Sequence, residues 1–222
     1  ERLGRRAVGA VEPDGPATAT PESFIGGLRA LAQRIAVDQG KSVEVLGDLQ
    51  ALERLPEATA MELRSVAIQL IRNAVSHGIE SAEERQRAGK PAAGMVYIAC
   101  SEGHAGTVEF VLRDDGRGVS PSRIRQALVN SGRLSSEQAA ALTDEQVIRK
   151  IFEPGLSTAE STDVHAGRGV GMDLVWRKVN ELGARLRLQT QADRYTQFTL
   201  SLDRPLREVK WPSTGPTLQA AE

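Results

Sequence analysis

The sequence predicts an α/β domain, on three observations. Segments of helical periodicity, opened by capping residues, are interleaved with short alternating runs that read as strands. Glycines gather where a strand ends (Gly116, Gly118) and where a helix opens (Gly167, Gly169, Gly171). A length of 222 residues, 40% hydrophobic and 26% charged, suits one domain of ordinary size with a full core.

The elements follow in order. Residues 1–20 are rich in Gly, Ala and Pro without apolar periodicity and read as a flexible arm. Thr20-Pro21-Glu22 opens the first helix, with a hydroxyl cap and proline at the first helical position. Phe24, Leu28, Leu31 and Ile35 keep one face of it, and Gly40 ends it. Residues 42–46 alternate like a strand. The stretch 62–76 predicts a helix with Leu63, Val66, Ala67, Leu70 and Ala74 as its buried stripe. Strands over 95–101 and 107–113 are joined by a short turn around Gly103 and Gly106. A helix covers 120–130, and the capping box Thr143-x-x-Gln146 opens another that ends near Phe152. Residues 153–169 are polar and rich in Gly, Ser and Thr; so long a loop is uncommon unless it is a lid or a binding loop. A helix over 171–182 is stopped by Gly183, and a last hairpin pairs 185–190 with 196–202. The expected organisation is an arm over 1–20, a folded domain over 21–203 and a flexible tail over 204–222.

Composition excludes several classes of function. A formal net charge of -1 gives no general attraction to nucleic acid or to anionic lipid, and no apolar run approaches the length of a membrane span. Neither nucleic acid nor membrane is an expected partner. The single cysteine, Cys100, leaves no disulfide framework, which suits a reducing cytoplasm; it reads as a core residue rather than a nucleophile. The chain opens on Glu1 rather than Met and reads as a piece of a longer protein.

Three segments carry candidate chemistry. Gln69, Asn73 and His77 are four apart and share one helix face. A neutral amide oxygen from Asn73 can serve a hard ion such as Mg²⁺ that bridges phosphates, because it does not repel them. Asp114 ends a hydrophobic strand before Asp115-Gly116-Arg117-Gly118. A carboxylate there can accept a hydrogen bond from the exocyclic amine of adenine, and the two glycines let the backbone approach the base. Asp115 reads as its exposed neighbour. Gly167-Arg168-Gly169-Val170-Gly171, followed by Met172, presents N–H groups beside a helix N-terminus, an arrangement that binds phosphate. Each segment also has a plainer reading on its own: a solvated helix face, a β-turn, a loop meeting a helix. Together they supply what ATP with Mg²⁺ needs. A dinucleotide fingerprint is excluded, because no strand precedes the glycines and Leu174 stands where its third glycine would fall. His104 and His165 have no partner at metal-ligand spacing.

These segments resemble the GHKL ATPase superfamily, and more closely the chemotaxis histidine kinase CheA. The run from Ile71 through Asn73, His77 and Gly78 to Glu80, with Glu84-Arg85 and Ala88-Gly89-Lys90-Pro91, resembles that family's N box. The run from Ile151 to Thr158 resembles its lid, and the run from Gly167 to Asp173 its second glycine box. The resemblance covers about residues 40–202 and implies a two-layer α/β sandwich of the Bergerat type, with a mixed sheet, helices on one face and an ATP lid. It implies that Asn73 holds Mg²⁺, Asp114 binds adenine, His77 lies at the phosphates, and Ser157 and Thr158 lie in the lid. Gly116, Gly118 and residues 167–171 shape the pocket. The implied function is transfer of the γ-phosphate of ATP to a phosphoacceptor histidine on another domain or chain, for relay to a response regulator. A chemotaxis-type adaptor would be reached through regions outside this piece. One departure bears on activity: the position four before Asn73, which usually carries His or Glu, is Gln69, and an amide cannot take a proton. A nucleotide-binding pseudokinase and a different GHKL ATPase stay open as alternatives.

Overall fold

The computed structural model describes residues 20–103, 106–153 and 171–203. The expected arm, tail and turn residue His104 lie outside these, as do His165, Ser157, Thr158, Gly167, Arg168, Gly169 and Val170.

Helix α1 spans Pro21–Asp38, with Thr20 Oγ1 accepting the Ser23 N–H; past its end, Gly40 sits at φ +63°. Strand β1 is Val43–Asp48, and α2 is Glu57–Asn73. Helix α3 is Ala82–Arg87; β2 is Gly94–Glu102 and β3 is Val108–Asp114. Three short helices follow: α4 (Pro121–Asn130), α5 (Ser136–Ala141) and α6 (Asp144–Arg149). Helix α7 is Met172–Glu181, and the hairpin is β4 (Arg185–Gln191) with β5 (Tyr195–Leu202).

The five strands form one mixed sheet in the order β1-β2-β3-β5-β4. β1 runs parallel to β2, and every other neighbouring pair is antiparallel. One sheet face, through Ile98, Phe110 and Leu200, shares a single core with Leu28 of α1, Leu63 of α2 and Val179 of α7. Phe110 is wholly buried, and truncating such a ring to Ala typically costs about 3–5 kcal/mol. The other face is open: Leu46 and Tyr97 stand opposite each other across β1 and β2, both exposed. This is the expected two-layer α/β sandwich with helices on one face. A satellite cluster of Ile124, Leu128 and Val147 holds α4 and α6 together.

Three differences from the sequence reading have physical causes. The helix expected over 62–76 begins earlier, and its α-ladder stops at Asn73; a π-turn over Ala74–Gly78 follows, with the Ile79 N–H donating five residues back to Ala74 at 2.7 Å. Apolar spacing does not report such a change of backbone register. Helix α3 is too short to show a period, but its capping box of Ser81 and Glu84 fixes it. Helix α5 has the same device in Ser135 and Gln138.

Candidate functional site

The site is built where the end of α2 meets the end of β3. Asp114 is the last residue of β3 and is 3% exposed. Its Oδ1 accepts the Gly116 N–H at 3.0 Å, and the Thr196 N–H on β5 also binds the carboxylate. Burial pushes Asp114 up from 3.8 to about 7; the Gly116 and Thr196 N–H groups oppose this, and the charges of Asp115 and Glu80 add to it. A carboxylate so placed is a strong acceptor for a donor that enters the same pocket.

The glycines around it are required by contact. A Cβ on Gly116 would lie 2.3 Å from the Gly78 carbonyl oxygen and 2.8 Å from Asp114 Oδ1. A Cβ on Gly78 would lie 3.0 Å from the same carboxylate oxygen. Gly118 has φ +71°, and a Cβ there would meet the Gln191 carbonyl oxygen at 2.4 Å. The turn is held on both sides: Arg117 N–H donates to Gly78 at 2.9 Å, and Val119 N–H donates to Thr190 Oγ1 at 2.8 Å.

The three residues of the α2 face fall in unlike surroundings. Gln69 is 7% exposed, Asn73 is half-buried and His77 is exposed. The fourfold spacing puts Gln69 and Asn73 together, with Gln69 Nε2 at 3.5 Å from Asn73 Oδ1. His77 lies in the π-turn, outside the α-ladder that the spacing argument assumes. Asn73 Nδ2 stands 2.8 Å from the sulfur of Met172, the first residue of α7, and Gly171 is the N-cap. So the Asn73 amide faces a helix N-terminus, whose free N–H groups and dipole favour an anion. Lys41 Nζ closes the π-turn by donating to the Val75 and Ser76 carbonyls at 2.9 Å each. Burial, then the charge of Arg117, lowers its pKa. Among the described residues no cluster of three His, Cys, Asp or Glu side chains could hold a metal by itself.

Asp115, read from the sequence as an exposed neighbour, has a side chain that is 39% exposed, yet it carries contacts that reading did not foresee. Its carboxylate holds Arg85, whose side chain is wholly buried, with Nη2 to Oδ2 at 2.7 Å and Nη1 to Oδ1 at 3.2 Å. Arg85 also donates to Glu80 at 3.0 Å and to the Pro91 carbonyl at 2.7 Å. Lys90 Nζ reaches Glu80 at 2.7 Å and the carbonyls of Asp115 and Gly116 at 3.0 and 2.9 Å. Removing one partner of a buried pair such as Arg85–Glu80 typically costs about 3–5 kcal/mol. These contacts join residues up to 30 apart, so no local pattern announces them. Their one trace is the spacing Glu80, Arg85, Lys90 between Gly78 and Pro91.

Fold and site together define a class: a two-layer α/β domain whose site lies between the last turn of a core helix and a carboxylate–glycine turn at a strand end. The chain belongs to the histidine kinase-, DNA gyrase B- and HSP90-like ATPase family, whose model matches residues 58–206. It is 37% identical over 172 residues to the gliding motility regulatory protein of Myxococcus xanthus, covering 78% of this chain and 22% of that one. It is 34% identical over 175 residues to the chemotaxis protein CheA of Rhizobium meliloti, covering 79% and 23%. The chain thus spans about a quarter or less of the length of these curated relatives. Among solved structures, full-length ShkA in complex with AMPPNP aligns with TM-score 0.50 at 20% identity, covering 82% of this chain and 29% of that one, a likeness of fold.

Proposed function

We propose that this chain is the ATP·Mg²⁺-binding catalytic domain of a chemotaxis-type histidine kinase, and that it transfers the γ-phosphate of ATP to a histidine on a separate domain or chain. The observation that carries this reading is the buried Asp114 in a glycine-walled turn pinned to the helix of Asn73. The fit to ATP is physical. Side chains at Gly78 and Gly116 would crowd Asp114 Oδ1, so their absence leaves the carboxylate free to accept the amine of adenine. The phosphates would then run toward Asn73 and the N-terminus of α7. Mg²⁺ needs few protein ligands when phosphates supply the rest, and Asn73 would give one. His77, exposed in the π-turn, and Arg168, Gly169 and Val170 before α7 are assigned to the phosphate side on the family resemblance, with Ser157, Thr158 and Gly167. Met172 packs against the Asn73 amide and sets its position.

Catalysis would rest on positioning and charge neutralisation, as phosphoryl transfer generally does. The acceptor would be a phosphoacceptor histidine domain and the next recipient a response regulator. Gln69 supports a second reading, a pseudokinase, because its buried amide cannot accept a proton. The two are separated by incubating the chain and γ-labelled ATP with a purified histidine phosphoacceptor domain. Acid-labile, alkali-stable label on the acceptor supports the kinase. ATP binding without any transfer to cognate acceptors supports the pseudokinase, and no binding at all defeats both.

A further inference from the structure

We infer that Arg85 and Lys90 are positioning residues for nucleotide-base selectivity: through Asp115 and Gly116 they set where the Asp114 carboxylate stands. The inference rests on the assignment of Asp114 to adenine proposed above. The linkage is continuous. Lys90 Nζ holds the Asp115 and Gly116 carbonyls, and Arg85 grips the Asp115 carboxylate at two points. Asp115 is fixed further by exchange with Met95 on β2: its N–H donates to the Met95 carbonyl at 3.1 Å, and its Oδ1 accepts the Met95 N–H at 2.8 Å. The backbone so held presents the Gly116 N–H to Asp114 Oδ1. Arg85 and Lys90 act through Asp115 and Gly116, the residues they hold.

A second effect runs the same way. Glu80 and Asp115 are negative charges near Asp114 that disfavour its ionised form. Arg85 pairs with both, and Lys90 pairs with Glu80. Losing either cation leaves these like charges less compensated while loosening the turn of Asp114. Both changes fall first on the acceptor for the adenine amine. The Arg85 site therefore bears on which base binds more than on how tightly phosphates are held.

The test compares ATP with inosine triphosphate, which carries a carbonyl in place of the adenine amine. Arg85→Lys and Lys90→Met are measured beside the parent chain by calorimetric titration, with circular dichroism as the check of folding. Arg85→Lys keeps the positive charge and loses the two-point grip on Asp115, and Lys90→Met keeps the apolar stem of a side chain that is not fully buried. The expected result is an ATP-to-inosine-triphosphate affinity ratio that falls about tenfold in folded variants, through loss of ATP affinity. A merely structural role would weaken both nucleotides alike, and that result overturns the inference. So does an unchanged ratio in a parent that does discriminate. A parent that binds ATP and inosine triphosphate equally overturns the Asp114 assignment itself, and the inference with it.

Discussion

The N–H of Arg117 donates to the carbonyl of Gly78 at 2.9 Å, stitching the turn after β3 to the end of the helix that carries Asn73. Two groups from distant parts of the sequence are thereby fixed in one frame. Asp114 lies three residues before Arg117, and Asn73 lies five before Gly78. On the proposed assignments, Asp114 for the base and Asn73 for the metal can serve one nucleotide only if this stitch holds.

Gly116→Ala should break it. The added methyl would stand 2.3 Å from the Gly78 carbonyl oxygen, and backbone on both sides leaves little room to yield. Overpacking of this kind typically costs about 1–3 kcal/mol. ATP affinity should fall even where the variant stays folded at the assay temperature. Unfolding melts and ATP titration of the same sample check both, and a variant of parental stability and affinity would show that the close approach is not needed.

If Asn73 ligates Mg²⁺ as proposed, Asn73→Ala should weaken binding of ATP with Mg²⁺ far more than binding of metal-free ATP. Titrations with Mg²⁺ and with a chelator separate the two. Equal losses would place Asn73 outside the metal site.

Binding should be linked to protons through Asp114. Burial holds its folded pKa at about 7 against 3.8 in the free side chain, so the folded chain keeps a proton that the unfolded chain has released. Its contribution to stability is full below pH 3.8, declines as pH rises to about 7 and is lost above that. The adenine amine favours the carboxylate, so ATP binding should release protons near pH 6.5 and tighten as pH rises toward 7. Calorimetry in buffers of different ionisation heat reads this release, with Asp114→Asn as the control for protons from the nucleotide. Identical release from parent and variant would count against a protonated Asp114.

Gln69→Glu keeps the shape of the buried side chain beside Asn73 and adds a proton acceptor. A positioned general base is typically worth about 10²–10⁴ in rate. Single-turnover phosphotransfer should rise with little change in ATP affinity. Transfer that stays the same or falls while ATP still binds would place the base elsewhere.

Much of this architecture is legible in the residues. Thr20, Ser120 and Thr143 each cap the helix that their position predicts, and the strands follow period-two burial. Asp114 and its glycines stand out because a charge and two flexible residues end an apolar strand. What stays hidden depends on distance or on backbone register. Arg85 meets Asp115 across 30 positions, and nothing in a helix as short as α3 marks Arg85 rather than Arg87 as the buried arginine. The π-turn that carries His77 is a matter of which carbonyl the Ile79 N–H selects, and the apolar stripe of α2 does not encode it.

Calorimetric titration of ATP·Mg²⁺ into the parent chain and into folded Asp114→Ala tests the central claim most directly. One site is expected in the parent, and an affinity about tenfold to a hundredfold weaker in the variant, from loss of a charge-assisted hydrogen bond worth about 1.5–3 kcal/mol. A parent that does not bind ATP, or a folded Asp114→Ala that binds it as tightly as the parent, would contradict it.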